Sequence, residues 1–187
     1  MPGQFDYYLL SMSWSPTYCL AHAEDRLQCG QRGLGLVLHG LWPEYESGRY
    51  PEHCGGEQYL PEDAYRLGRT LYPTAALMRH EWQSHGTCSG LQALDYFKTA
   101  DRALAALRLP PILEAPTHDL RLTPPEIAAA FRAANPLLPG DGIRLACNRG
   151  QLAEVRVCLS RELALRSCGH AVRGNCPDSK VLVRSAR

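Results

Sequence analysis

Several features that mark other classes of protein are missing from this sequence of 187 residues. No apolar run approaches the roughly 18 residues that a membrane-spanning helix needs. Lysine occurs only at positions 98 and 180 and the net charge is +1, so any binding of nucleic acid must come from a local site. There is no internal repeat, no low-complexity linker and no basic, apolar leader. If the protein is exported, we expect its leader to have been removed.

The cysteines carry more information than the charge. The length and the 45% content of hydrophobic residues predict one globular domain over residues 1–187, and this domain holds eight cysteines. No pair of them has the C-x-x-C spacing of a zinc or redox motif. We interpret them as four disulfides formed in an oxidising compartment, against the alternative of eight buried free thiols. Because eight cysteines allow about 105 pairings, the residues alone leave the connectivity open.

The order of the predicted elements is strands, then helices, then strands. From periodicity, capping residues and turn signals we predict strands over 5–14, 35–42, 142–148 and 152–159, weaker strands over 162–166 and 181–183, a loop over 43–60, and helices over 61–72, 75–85, 91–109 and 124–134. This order favours an α+β fold, with a mainly antiparallel central sheet and several helices packed against it.

Two short segments hold the residues that can carry chemistry. One is His-Gly-Leu-Trp-Pro at 39–43, and the other is His-Glu-Trp-Gln-Ser-His-Gly-Thr-Cys at 80–88. Glu81 and His85 share a helix face because they are four residues apart, and His80 is adjacent to Glu81. These three ionisable groups can therefore converge at the C-terminal end of the helix. There the helix dipole and the carboxylate favour a charged histidine.

Four interpretations of this cluster are open from the residues alone. It can be purely structural. It can bind a metal, although its histidines are five residues apart, about 140° around the helix, rather than four as in H-E-x-x-H. Ser84 or Ser89 can be a nucleophile, although neither lies in a G-x-S-x-G motif. The fourth interpretation is general acid–base catalysis, in which one histidine acts as the base and another as the acid.

RNA cleavage fits the fourth interpretation. The 2′-hydroxyl of RNA is an internal nucleophile beside the phosphodiester. An enzyme then needs only to remove its proton, protonate the leaving 5′ oxygen and stabilise the charge on phosphorus. His39, which lies on a different predicted element, can be the histidine that faces the helical cluster.

Together the two segments resemble the active-site motifs of the ribonuclease T2 family, HGLWP and HEWxKHGTC. The first motif is complete at 39–43, and the second is matched from 80 to 88 except at Ser84. Weaker similarity extends over 5–8, 13–14, 18–19 and 174–176. The resemblance implies a ribonuclease T2-like domain and a metal-independent endoribonuclease without a cofactor. It would cleave single-stranded RNA through a 2′,3′-cyclic phosphate to 3′-phosphate ends, with broad base specificity and best at mildly acidic pH.

The resemblance also implies a role for each residue of the cluster. His85 would take the proton from the 2′-hydroxyl, and His39 would protonate the leaving 5′ oxygen. His80 would bind the phosphate, and Glu81 would help to polarise it.

A base-binding site is implied as well. Trp42 and Tyr50 match the aromatic residues that sandwich the first base in the family, and stacking tolerates any base. Glu44 lies where a carboxylate can accept a hydrogen bond from an exocyclic amine, which predicts a mild preference for adenine. The alternative for Trp42 is packing in the core.

Ser84 is the departure from the family pattern, which has a lysine that would stabilise the pentacovalent intermediate. Loss of such a group costs roughly 100- to 1000-fold in rate. Three outcomes are open: a slower enzyme, another cation in its place, or an inactive protein. Arg79, beside His80, is the nearest candidate for a substitute.

The resemblance further implies the disulfides Cys19–Cys29, Cys54–Cys88, Cys147–Cys176 and Cys158–Cys168. The second of these would tie the loop after Trp42 to the end of the catalytic helix. The remaining histidines have no supporting neighbours, and we interpret them as surface or packing residues: His22, His53, His118 and His170.

We therefore expect a monomeric, secreted or periplasmic ribonuclease that binds single-stranded RNA and no membrane. One rival is a binding protein on the same scaffold that has lost catalysis through Ser84. The other rival is a metal-dependent hydrolase, which a chelator would abolish.

Overall fold

The computed structural model describes residues 1–30, 33–56, 59–169 and 172–186. Within these ranges the strands are β1 (Tyr7–Trp14), β2 (Leu36–Glu44), β3 (Leu120–Leu122), β4 (Ile143–Asn148), β5 (Gln151–Leu159) and β6 (Val181–Val183). The helices are α1 (Ser15–Tyr18), α2 (Arg26–Cys29), α3 (Glu62–Leu71), α4 (Ala75–Ser84), α5 (Ala93–Ala106), α6 (Pro111–Glu114) and α7 (Pro124–Ala134). A 3₁₀ turn, Gly86–Ser89, follows α4.

The strands form one sheet in the order β2-β1-β5-β6-β3, and β4 also pairs with β5. β1 lies between β2 and β5 and is antiparallel to both. The β4–β5 and β3–β6 pairs are antiparallel as well, whereas β5 and β6 meet in parallel at Gln151 and Leu182. The sheet is therefore mixed but mainly antiparallel, and the predicted α+β class is confirmed.

The two faces of the sheet have different neighbours. Alternate residues of β1, among them Leu10 and Trp14, belong to the main core together with Phe97 of α5 and Met78 of α4. Tyr7 and Leu9 of β1 belong instead to a smaller apolar cluster that also contains Cys158, Cys168 and Val172. Trp42 packs against this second cluster. The sheet thus separates a helix-covered core from a second face that carries the first of the two sequence motifs.

A β-bulge places His39 on that second face. Ser11 of β1 pairs with Gly40, but Met12 pairs with Leu38, so His39 is an extra residue in β2. Strict alternation from Leu41, which is buried in the core, would turn His39 toward the core as well. A bulge re-aims the side chains around it, and the imidazole is 29% exposed beside β5.

Some predicted boundaries are wrong. β2 continues through Pro43 and Glu44 into the predicted loop, because β2 is an edge strand, where a proline without an N–H is tolerated. The helix predicted over 91–109 begins only at Ala93, since Ser89 lies in the 3₁₀ turn and its hydroxyl donates to the Gly86 carbonyl. Residues 162–166 are not a strand and contribute only an isolated bridge between Leu159 and Leu165.

Four disulfides hold the fold together, with the pairing that the resemblance implies: Cys19–Cys29, Cys54–Cys88, Cys147–Cys176 and Cys158–Cys168. Cys54–Cys88 joins the segment after β2 to the 3₁₀ turn that follows α4. Next to it, the His53 amide donates to the Ser84 carbonyl at 2.8 Å. The end of α4 is therefore fixed to the segment that carries Tyr50. In the described ranges, no helix is long and apolar enough to cross a membrane.

Candidate active site

The two sequence motifs meet at the indole of Trp42. Its Nε1–H donates a hydrogen bond to Glu81 Oε2 at 2.7 Å, which joins β2 directly to α4. The His39 ring packs edge-on against the indole at a centroid distance of 5.1 Å, and the His85 ring lies at 5.3 Å. Trp42 is therefore not a residue of the main core, and it places both histidines around one side chain.

Glu81 lies beneath this cluster and is only 1% exposed. Burial raises the pKa of Glu81 to about 7, against the opposing effects of the His39 charge and the indole N–H. The Glu81 carboxylate can lie against β2 because residue 40 is a glycine. A Cβ on residue 40 would collide with both the Glu81 carboxylate and the Trp42 indole nitrogen. The glycine of the first motif is thus required for the carboxylate of the second motif to reach the sheet.

His85 occupies the C-cap of α4 and is 9% exposed. The expectation of a charged histidine at this helix end is wrong for His85, because burial lowers its pKa to about 4. The nearby His80, His39 and His53 add to the effect, since like charges disfavour the protonated form. An imidazole with this pKa is neutral at mildly acidic pH. His85 can therefore accept a proton under those conditions.

The pKa of His39 is shifted in the opposite direction to that of His85. Its Nδ1 lies 2.8 Å from Glu154 Oε1, whereas its Nε2 lies 3.6 Å from Glu81 Oε1, too far for a hydrogen bond. Burial by itself lowers the pKa of His39, but the hydrogen bond to Glu154 and the charges of the two carboxylates outweigh it. The net pKa is raised even though Arg156 opposes the rise. The environment of His39 therefore favours the protonated form, which can donate a proton.

Glu154 and Arg156, both on β5, are site residues that the sequence analysis did not identify. Glu154 accepts hydrogen bonds from Arg156 Nε at 2.8 Å and Nη2 at 2.6 Å, in addition to its contact with His39. Burial raises the pKa of Glu154, but the hydrogen bonds and positive charges of these two partners lower it to about 2. Neither residue belongs to a recognisable motif, and only the pairing of β5 with β1 brings them beside β2.

A cavity of about 400 Å³ opens beside the histidines. Its wall includes the three residues expected to bind a base, together with His85 and Arg156: Trp42, Glu44 and Tyr50. Tyr50 is 52% exposed and its ring lies 6.3 Å from that of His85. Glu44 is buried, and burial raises its pKa to about 7 against the opposing charge of Arg156. The cavity therefore combines apolar ring faces with a few polar groups, as ligand sites generally do.

Ser84 stands where the family has a lysine, and Arg79 was the candidate for a substitute cation. The two side chains lie in different surroundings. Ser84 is 2% exposed, and its hydroxyl has no hydrogen-bond partner among the described residues. The guanidinium of Arg79, the candidate that we considered, lies over the Tyr65 ring of α3 at 5.3 Å. Two arginines, Arg156 and Arg173, line the cavity instead, and the Arg156 guanidinium lies 5.7 Å from the Trp42 ring.

The other histidines differ in their placement. His80 is exposed on α4, next to Glu81, and is close enough to His85 to influence its pKa. His22, His53 and His118 are exposed, and His22 stacks on Tyr18 at 4.3 Å. His170 lies outside the described residues. In the part of the chain that the structure describes, no group of three or more His, Cys, Asp or Glu side chains is arranged to hold a metal ion.

Comparison with known proteins identifies the family of this chain. The model of the ribonuclease T2 family matches residues 5–168. The chain therefore belongs to the ribonuclease T2 family, and it is an RNA-cleaving enzyme.

Individual relatives and solved structures agree. A protein named ribonuclease from Aeromonas hydrophila is 38% identical, across 86% of this chain and 74% of that protein. Ribonuclease DdI of Dictyostelium discoideum is 28% identical, across 95% of this chain and 84% of that protein. An RNase-related protein from Calystegia sepium shares the fold, with a TM-score of 0.78, 24% identity and coverage of 97% of both chains. RNase NT in complex with 5′-AMP has a TM-score of 0.76 at 24% identity, covering 97% of this chain and 99% of that one.

Proposed function

We propose that this protein cleaves single-stranded RNA without a metal, by transphosphorylation, with His85 as the base and His39 as the acid. The observation that carries the proposal is the opposite pKa shift of two imidazoles that contact the same indole. Titratable groups whose environments drive their pKa values apart are suited to opposite roles in proton transfer. Since the two histidines can supply both proton transfers, the reaction needs no cofactor.

The first step transfers two protons and exchanges one bond at phosphorus. Neutral His85 accepts the proton of the 2′-hydroxyl, and the 2′ oxygen forms a bond to phosphorus. The bond from phosphorus to the 5′ oxygen breaks, and this oxygen takes the proton of His39. The products are a 2′,3′-cyclic phosphate and a free 5′-hydroxyl. In a slower second step the two histidines exchange roles. Neutral His39 accepts a proton from water, and the water oxygen forms a bond to phosphorus. The bond from phosphorus to the 2′ oxygen breaks, this oxygen takes the proton of His85, and a 3′-phosphate remains.

Other groups around the cavity can stabilise the negative charge that develops on the phosphate. His80 is exposed beside the cluster and can bind the phosphate directly. Arg156 lines the cavity with His85, so a permanent positive charge faces this site although position 84 carries a serine. Glu81 holds Trp42 through the indole hydrogen bond, and its other oxygen lies 3.6 Å from His39 Nε2, so we propose that it helps to polarise the phosphate from beneath the cluster.

The cavity beside Trp42 is the proposed site for the first base. Trp42 and the exposed Tyr50 offer ring faces for stacking, which tolerates any base and gives broad specificity. Glu44 at the end of β2 can hydrogen-bond to an exocyclic amine, and we therefore propose a mild preference for adenine.

We propose that the protein is exported, secreted or periplasmic, and acts as a monomer. The support for export is the set of four disulfides, since such bonds persist in oxidising compartments and are rare in the cytosol.

Product analysis tests the proposed reaction. The oxidised protein is incubated at about pH 6 with a short RNA in excess EDTA, and the products are identified by mass. We expect cyclic phosphate ends at the same rate with and without the chelator, and no cleavage of the DNA copy, which has no 2′-hydroxyl. Loss of activity in EDTA would support the metal-dependent rival, and no cleavage at all would support the binding protein.

The pKa shifts predict a bell-shaped dependence of kcat/KM on pH. The rate rises as the pH increases through about 4, because His85 must lose its proton to act as the base. It falls as the pH increases through the raised pKa of His39, above the usual value of 6.5, because the acid must keep its proton. The plateau therefore covers the mildly acidic range. Measurement of initial rates between about pH 3 and pH 9 checks both limbs, and an activity that keeps rising above neutrality would contradict the assignment of His39.

A further inference from the structure

A carboxylate that belongs to neither sequence motif contacts His39 at Nδ1. Glu154 Oε1 lies 2.8 Å from His39 Nδ1, and the Glu154 side chain is 16% exposed. Its other oxygen, Oε2, accepts two hydrogen bonds from Arg156, and Ser11 donates to it at 3.4 Å. Glu154 is thus held by one residue of β1 and one of β5, and these contacts fix the direction from which it binds the imidazole.

This contact decides which nitrogen of His39 is available to a substrate. A carboxylate accepts a hydrogen bond from Nδ1–H and so fixes the ring orientation and the position of the proton. Nε2 remains, and its distance of 3.6 Å from Glu81 Oε1 leaves the Nε2–H without a committed hydrogen bond to that group. An imidazolium with Nδ1–H bound and Nε2–H free is arranged to donate from Nε2.

The charged groups around His39 come from β5 and α4. Glu154 and Glu81 are negative neighbours, while Arg156 and His85 are positive or potentially positive. The pKa of Glu154 is lowered to about 2 by its partners, whereas that of Glu81 is raised to about 7 by burial. Glu154 therefore stays charged throughout the mildly acidic range, and it is the carboxylate within hydrogen-bond distance of His39.

We propose that Glu154 is the positioning residue of the acid, holding His39 by Nδ1 so that Nε2 delivers the proton to the leaving 5′ oxygen. This inference rests on the proposed function and extends it, because Glu154 touches no reacting atom and acts only through His39. Arg156 in turn fixes Glu154 from the opposite side.

A substrate with a sulfur leaving atom separates this role from a merely structural one. In a ribonucleotide dimer whose leaving 5′ oxygen is replaced by sulfur, the leaving thiol has a pKa near 8.5 and departs without an acid. In Glu154→Gln the negative charge is lost while the size is kept. We expect kcat on the oxygen substrate to fall by about 10- to 100-fold, the range of a hydrogen bond to a charged group. KM and the rate on the sulfur substrate stay close to those of the parent.

The pH profile gives a second readout. Without the Glu154 charge, the pKa of His39 falls, so the basic limb of the profile moves to lower pH. Arg156→Gln is expected to move the same limb to higher pH, because Arg156 opposes protonation of His39. Glu24→Gln is the matched control, since Glu24 faces His22 at 3.6 Å in an exposed pair away from the site, and its profile stays unchanged.

The outcomes distinguish this inference from the proposed function. A parent protein that cleaves neither substrate refutes the proposed function itself. A parent that cleaves both, with a Glu154→Gln variant that loses the same factor on both substrates, overturns the positioning role. Should Glu154→Gln not fold, Glu154→Asp carries the test. Its shorter carboxylate keeps the charge but lengthens the contact with Nδ1, so a smaller loss confined to the oxygen substrate is expected, and an equal loss on both refutes the inference.

Discussion

Replacement of either His39 or His85 by alanine is expected to slow RNA cleavage by about 100- to 10,000-fold, the usual contribution of one positioned acid or base. The two variants lose different proton transfers, but each leaves the reaction with one transfer unassisted. Because the histidines act as a unit, the double variant is expected to be little slower than the slower of the single variants. Initial rates on a short RNA at the parent's optimum pH measure these losses.

His22→Ala is the matched control for both variants. His22 is an exposed histidine that stacks on Tyr18 and faces Glu24, away from the indole of Trp42. Its replacement should leave kcat/KM unchanged. If the His39 and His85 variants kept the activity of this control, the acid–base assignment would be wrong whatever the products of the parent.

The second large effect is expected at a residue with no functional group. In Gly40→Ala the new methyl group meets the Glu81 carboxylate and the Trp42 indole nitrogen, both inside contact distance, and the 2.7 Å hydrogen bond between them cannot persist. Overpacking of this kind costs about 1–3 kcal/mol in the free energy of unfolding. Displacement of Trp42 moves both histidines with it, and a displacement of about 1 Å in an active site can cost 100-fold in rate. We therefore expect kcat/KM to fall by about two orders of magnitude.

Gly140→Ala provides the comparison, because a Cβ at Gly140 meets nothing within 4 Å. Thermal unfolding and kcat/KM are measured for both variants. We expect Gly140→Ala to match the parent in Tm and kcat/KM, and Gly40→Ala to have a lower Tm and a much lower kcat/KM. Equal activity of the two would show that the contact between Glu81 and Trp42 does not organise the site.

The parts of this fold that follow from the sequence are those with a strong local signal. α7 spans the predicted range 124–134, with a capping box at Thr123 and prolines in its first turn, and the β4–β5 hairpin turns at positions 149 and 150, between the two predicted strands. The short elements α1, α2, α6 and β3 were not predicted. Helices of four residues are too short to show a period of their own, and β3 lacks the β-branched residues that mark β6, a strand of equal length.

In the candidate site too, the residues with a local sequence signal were predicted and the others were not. His39 and His85 stand in recognisable motifs, but a bulge in β2 turns His39 to the correct face, and nothing local in the sequence specifies that bulge. Glu154 and Arg156 alternate with valines along β5, which indicates only that one face of the strand is polar. Their contact with His39, 115 residues away from Glu154, depends on the order of strands in the sheet. Local patterns do not determine that order.

The mechanism assigns one proton transfer to each histidine, with His39 as the acid and His85 as the base. It is tested most directly by comparing the two alanine variants on the ribonucleotide dimers with oxygen and with sulfur as the leaving atom. We expect sulfur to restore most of the rate of His39→Ala, because a thiolate needs no proton to leave. It should not restore His85→Ala, which still lacks its base. Recovery of His85→Ala instead of His39→Ala would show that the two roles are reversed, and recovery of neither would contradict the mechanism.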